Sequence, residues 1–142
     1  ERSRGLGDVY KRQAWYNAIA GNVSVSVYKD AVPLTENGAY VVIRSEGSTD
    51  TGPTNSGWFR SAIIITEIVI PFRTIGNSVQ ANTVSQEIDN IILQGITTYG
   101  ISLPNHQITQ ISLQSESELY DDDGSQKYFS LIRRYEHFLN QI

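Results

Sequence analysis

Few side chains in this sequence are of types that do chemistry. His106 and His137 are its two histidines, the residue type best suited to moving protons near neutral pH. One falls at a loop–strand junction and the other in the last strand, and each reads as an ordinary surface or strand residue. The run Asp121-Asp122-Asp123 offers oxygen ligands for a hard cation. Calcium needs six to eight oxygens from spaced positions, and adjacent aspartates in a strand alternate between faces, so the run reads as a solvated hairpin turn. Arg133 and Arg134 also alternate between faces. Tyr128, Phe129, Tyr135 and Phe138 around them have the interleaving of a base-stacking platform, but they read better as core and interface aromatics. There is no cysteine, so disulfides, thiolate metal sites and cysteine nucleophiles are excluded. P-loop, GxGxxG, GxSxG and HExxH patterns are all missing. No residue is assigned as catalytic, cofactor-binding or metal-ligating, and the chain reads as a non-enzyme without cofactors.

What remains is the scaffold. At 142 residues the chain has the size of one domain, large enough to bury a real core. Apolar residues are 39% and charged residues 18%, both somewhat low. Ser, Thr, Asn, Gln and Gly fill the difference, as suits strands with one polar face. The net charge of −4 argues against specific nucleic-acid binding. No apolar run reaches the ~18 residues of a membrane span, and no signal-peptide core is visible. A cytoplasmic product with no membrane partner is the expectation.

Residues 1–13, ERSRGLGDVYKRQ, show neither a helical nor a strand period. The string GLGDVYKRQ resembles translated adapter sequence that recurs at the ends of open reading frames predicted from environmental sequencing. The segment is expected to be non-native or disordered, the alternative being a natural polar arm. The chain contains no methionine, which fits a missing start. Without this segment Arg2, Arg4, Lys11 and Arg12 are lost against Glu1 and Asp8, and the net charge moves from −4 to −6.

The remainder, 14–142, reads as a single domain. Ala14–Ala20 is helix-prone, with Trp15 and Ile19 on one face and Gly21-Asn22 as a stop. Val23, Val25 and Val27 alternate with Ser24, Ser26 and Tyr28, a strand period. Residues 30–38 carry loop chemistry. Ala39–Glu46 predicts a second strand, and Gly47–Gly57, without a large apolar side chain, predicts a mobile loop. Trp58–Arg73 is the strongest strand, apolar on both faces for part of its length. Asn77 or Ser78 caps a helix whose Val84, Ile88, Ile91 and Ile92 form an apolar stripe, closed by Gly95. His106–Tyr120 and Ser125–Leu139 predict two strands around an Asp-Gly turn. In the second of these, Phe129, Leu131, Arg133, Tyr135 and His137 share one side.

The order is α-β-β-β-α-β-β. The expected fold is α+β, a mostly antiparallel sheet of about five strands with two helices packed against it. The C-terminal hairpin is long compared with usual strands, and a hairpin of that length can reach past its own domain. A small sheet also leaves an edge, which is a template for another chain. Assembly is the economical reading.

Several strings resemble the tail completion proteins of long-tailed phages, the family of the tail terminators and head–tail joining proteins of the neck. They are VSVSVYKDAVP (Val23–Pro33), YVVI (Tyr40–Ile43), Ile63–Phe72 leading into Ser78–Leu93, the acidic turn Asp121–Gly124, and the basic-aromatic run Arg133–Phe138. The resemblance covers about residues 14–142. It implies a virion structural protein, assembled in the host cytoplasm, that forms a ring, typically hexameric. The ring caps the tail tube and joins it to the head connector. The implied partners are copies of itself, the tail tube and neck proteins. Closing a ring needs a heterologous, head-to-tail interface. An acidic bore would repel DNA and ease its passage. The competing readings are another neck or baseplate component of similar fold and, from a different class, a small-ligand-binding or enzymatic α+β domain.

Overall fold

The computed structural model describes residues 2–29, 31–33, 38–54, 57–71, 77–93, 100–101, 106–122 and 127–141. Its elements are α1 (Arg2–Ile19), β1 (Ser26–Tyr28), β2 (Tyr40–Thr54), β3 (Gly57–Pro71), α2 (Asn77–Ile92), β4 (His106–Asp122) and β5 (Lys127–Gln141). The five strands form one sheet in the order β1-β2-β3-β5-β4. β1 runs parallel to β2, and every other pair is antiparallel. The fold is therefore α+β with a mixed, mostly antiparallel sheet.

The apolar period of each element shows which face it buries. On β3, Ile64, Thr66, Ile68 and Ile70 are buried and stand over Tyr135, Arg133, Leu131 and Phe129 of β5 in register. Val41 and Ile43 of β2 continue those rows. Trp15 and Ile19 of α1 and Ala81, Val84, Ile88 and Ile92 of α2 close over them in one core cluster. Each such aliphatic side chain contributes about 1.5–3 kcal/mol by leaving water. α1 stops where Gly21 takes a left-handed backbone, φ 79°, which glycine adopts at little cost. The Asn22 amide caps the end by donating to the Ala18 carbonyl at 3.0 Å.

Three expectations change. Helix α1 begins at Arg2, so residues 2–13, read as lacking any regular period, are helical. Their two glycines and missing apolar stripe hide the helix. Propagation from a turn docked through Trp15 needs only one hydrogen bond per added residue. Residues 47–54, expected as a mobile loop, are the second half of β2, paired residue by residue with β3 from Gly47↔Ile63 to Thr54↔Gly57. Their polar side chains hid a strand held by its backbone. Register shifts at Ser45/Gly47 and Asp50/Gly52 interrupt any period-two pattern.

β1 is shorter than expected, Ser26–Tyr28, although Val23 and Val25 still pack against the core. The C-terminal hairpin does not project from the domain. β5 pairs with β3 from Tyr128↔Pro71 to Asn140↔Phe59, so its length is used inside the sheet. Asp121 and Asp122 belong to β4. Asp123 and Gly124 of the expected turn, and Gly95 after α2, lie outside the described residues.

Candidate assembly surface

Of the side chains singled out in the sequence, His137, Arg133 and Arg134 are held in structural pairings. His137 is fully buried. Its Nε2 accepts a hydrogen bond from the Trp15 indole at 2.9 Å, with the rings edge to face at 5.5 Å. An acceptor Nε2 places the imidazole proton on Nδ1. His106 opens β4 opposite Gln141, far from His137 along the strands. Among the described residues no group of three or more His, Asp or Glu stands close enough to hold a metal. A shallow groove is lined by Ala14, Asn17, Ala18, Gly100 and Ile101, in which Asn17 supplies the one polar side chain.

Arg133 and Arg134 do diverge to opposite faces. Under α2, Arg133 donates to Asp89 Oδ2 at 2.9 Å and to the Ser85 carbonyl at 3.4 Å. Asp89 Oδ1 accepts from the Tyr135 hydroxyl at 2.7 Å. Glu116 of β4 approaches Arg133 Nε at 3.3 Å, near enough for attraction but misaligned for a hydrogen bond. Burial alone would weaken the charge on Arg133, but Tyr135, Asp89 and Glu116 outweigh it and its pKa is raised. Burial also pushes the Tyr135 phenol well above its ordinary range, and the charge of Asp89 adds to this against the opposing pull of Arg133. This network was not foreseen from the sequence. Asp89 reads there as one more polar position on α2.

On the opposite face Arg134 forms a two-pronged pair with Glu46, one contact at 2.8 Å, and reaches Gln114 at 3.4 Å. Arg44 meets Glu67 at 2.7 Å on the same face. Neither arrangement leaves a reactive group poised over a cavity, and the chemical character of this face is that of paired charges.

The unusual surface is β4. It is 17 residues long, stands at the end of the strand order, and is exposed from Leu113 to Tyr120 on both of its faces. Leu113, Leu119 and Tyr120 are 40%, 49% and 63% exposed. The cause is width. Two helices of about 10 Å cover roughly four strands spaced ~4.8 Å apart. α1 lies over β1 and β2 and reaches β5 through Trp15, and α2 lies over β3 and β5, so β4 is left uncovered beyond Ile111, which is still buried. Among the described residues no element pairs with its outer edge. The exposure of Leu119 and Tyr120 carries no mark in the sequence, where β4 alternates like any half-buried strand.

No family model matches the chain, and no curated protein does. Among solved structures, it is similar to a chain of the virion of a native gene transfer agent particle, at 12% sequence identity. The likeness covers 93% of this chain and 97% of that chain, with a TM-score of 0.66. At that identity the likeness is one of fold alone, and it extends over nearly the whole length of both chains.

Proposed function

We propose that this chain is a virion structural protein of phage type. More finely, it is a tail completion (tail terminator) protein whose copies close into a ring, cap the tail tube and join it to the head connector. The observation that carries the reading is the likeness to a virion chain across almost the full length of both molecules. The open β4 edge adds support, since an unpaired edge with exposed apolar residues is a place for another chain. In this reading the protein catalyses nothing and needs no cofactor or metal. Its partners are copies of itself and the proteins of the tail tube and neck, and it resides in the virion after assembly in the host cytoplasm.

The test is light scattering at high protein concentration together with negative-stain electron microscopy. It should be run on the full chain and on a version beginning at Ala14. Rings of uniform size are expected. A monomer at every concentration in both versions, with no ring in the images, would refute the ring.

A further inference from the structure

We propose that the outer edge of β4 receives, as a sixth strand, an extended segment bearing Lys or Arg from a protein other than this chain. The inference rests on the assembly reading and deepens it by naming the chemistry of a partner.

The charge of β4 selects the occupant. The strand carries Glu116, Glu118, Asp121 and Asp122 and no Lys or Arg. Two copies of β4 laid side by side would bring twice that charge onto one ladder, with no Lys or Arg on either strand of the pair. In a parallel, in-register pairing each acid would face its own copy, and like charges directly opposite each other destabilise a ladder. The edge is thus guarded against its twin and open to a basic strand. The register gives the pattern that such a strand must carry. Glu116 stands opposite Arg133 and Glu118 opposite Leu131 on the helix-covered side of the sheet. Ser117 and Leu119, opposite Ile132 and Ser130, point to the other side. A matching segment alternates basic residues, which meet Glu116 and Glu118, with apolar ones that lie beside Leu119. Within β4, Glu116 has Arg133 of its own chain at 3.3 Å and Asp122 stands opposite Lys127 in register, whereas Glu118 stands opposite Leu131.

The probe is a short synthetic peptide of alternating Lys and Val, with a Glu and Val peptide as control. Both are added to the full chain and followed by fluorescence anisotropy and by amide hydrogen exchange across β4. The Lys peptide is expected to bind, to slow exchange between Leu113 and Tyr120, and to lose affinity as salt rises. The Glu peptide should do none of these. Glu118→Lys, on the exposed strand and away from the Arg133 pairing, should weaken binding about fivefold or more while leaving the unfolding midpoint unchanged.

The proposal is overturned if the Lys peptide leaves β4 exchange unaltered, or if both peptides protect it equally. It is also overturned if β4 becomes protected with rising protein concentration alone, since a second copy then fills the edge. Rings whose β4 is protected without peptide sink this proposal and keep the ring. A chain that never forms rings but takes the Lys peptide sinks the ring and keeps this proposal.

Discussion

Replacing Asp89 by alanine should destabilise the protein by about 3 kcal/mol. Asp89 accepts from the Tyr135 hydroxyl at 2.7 Å and from Arg133 at 2.9 Å. The Arg133 side chain is only 9% exposed, whereas that of Asp89 is 29% exposed. Removing one partner of a buried ion pair costs about 3–5 kcal/mol, because the other charge is left without compensation. Partial access of water to the vacated position, and the remaining attraction of Glu116 at 3.3 Å, bring the figure to the low end. The Tyr135 hydroxyl, also deprived of its acceptor, prevents it from falling much further. The physical claim is that the cost comes from stranded partners rather than from lost attraction. The triple change Asp89→Leu, Arg133→Met and Tyr135→Phe strands no buried charge, since Glu116 is 45% exposed to water, and should lie within about 1 kcal/mol of the parent. Urea unfolding measures both, provided that the slope with denaturant stays constant across the series. A cost below about 1 kcal/mol for the single change, or a triple variant as unstable as the single, would refute the reasoning.

Other consequences follow from the same geometry. The folded-state pKa of Tyr135 is raised above the unfolded value near 10, so its stabilising contribution is full below about pH 10 and declines as pH rises beyond that. Urea midpoints from pH 8 upward should therefore fall less steeply in Tyr135→Phe than in the parent. Trp15→Phe removes the donor to His137 Nε2 inside a fully buried site, and thermal or urea unfolding should register a loss of about 1–3 kcal/mol. Gly21→Ala forces a side chain into a left-handed backbone at φ 79°. A loss of about 1–2 kcal/mol is expected, largely avoided by Gly21→Asn. The Thr66 hydroxyl is buried without a hydrogen-bond partner, so Thr66→Val, which keeps the shape and removes the polar atom, should raise stability by about 1 kcal/mol. A decrease in the urea midpoint would show that the hydroxyl has a partner in solution.

The sequence shows most clearly what depends on side-chain period. Ile64, Thr66, Ile68 and Ile70 alternate in the chain and are buried in the sheet, and Val84, Ile88 and Ile92 are legible as a helical stripe for the same reason. Arg133 and Arg134 part to opposite faces as any adjacent strand residues must. What depends on backbone pairing alone is hidden. Gly47–Thr54 has no apolar signal, yet it is a strand because β3 lies alongside it. The helical start of α1 is hidden in the same way. The tertiary meetings Trp15–His137 and Asp89–Arg133–Tyr135 join residues from distant elements, and no local pattern marks them. The open face of β4 belongs to this class too, because it follows from how many strands two helices can cover.

The pairing of β3 with β5 has a consequence for how the molecule is built. β2–β3 and β4–β5 are hairpins of neighbouring strands, whereas the line between β3 and β5 joins residues 57–71 to 127–141. An isolated hairpin is marginal in water, so neither half is secure until that line closes, and closing it means bringing together ends separated by a long stretch of chain. The search is slow compared with hairpin formation, and its rate within one chain is independent of concentration. While it lasts, the β4–β5 half of one molecule can close on the β3 of another, giving an exchanged dimer with the same contacts as the monomer. The line that completes one molecule is therefore also where two can trade halves.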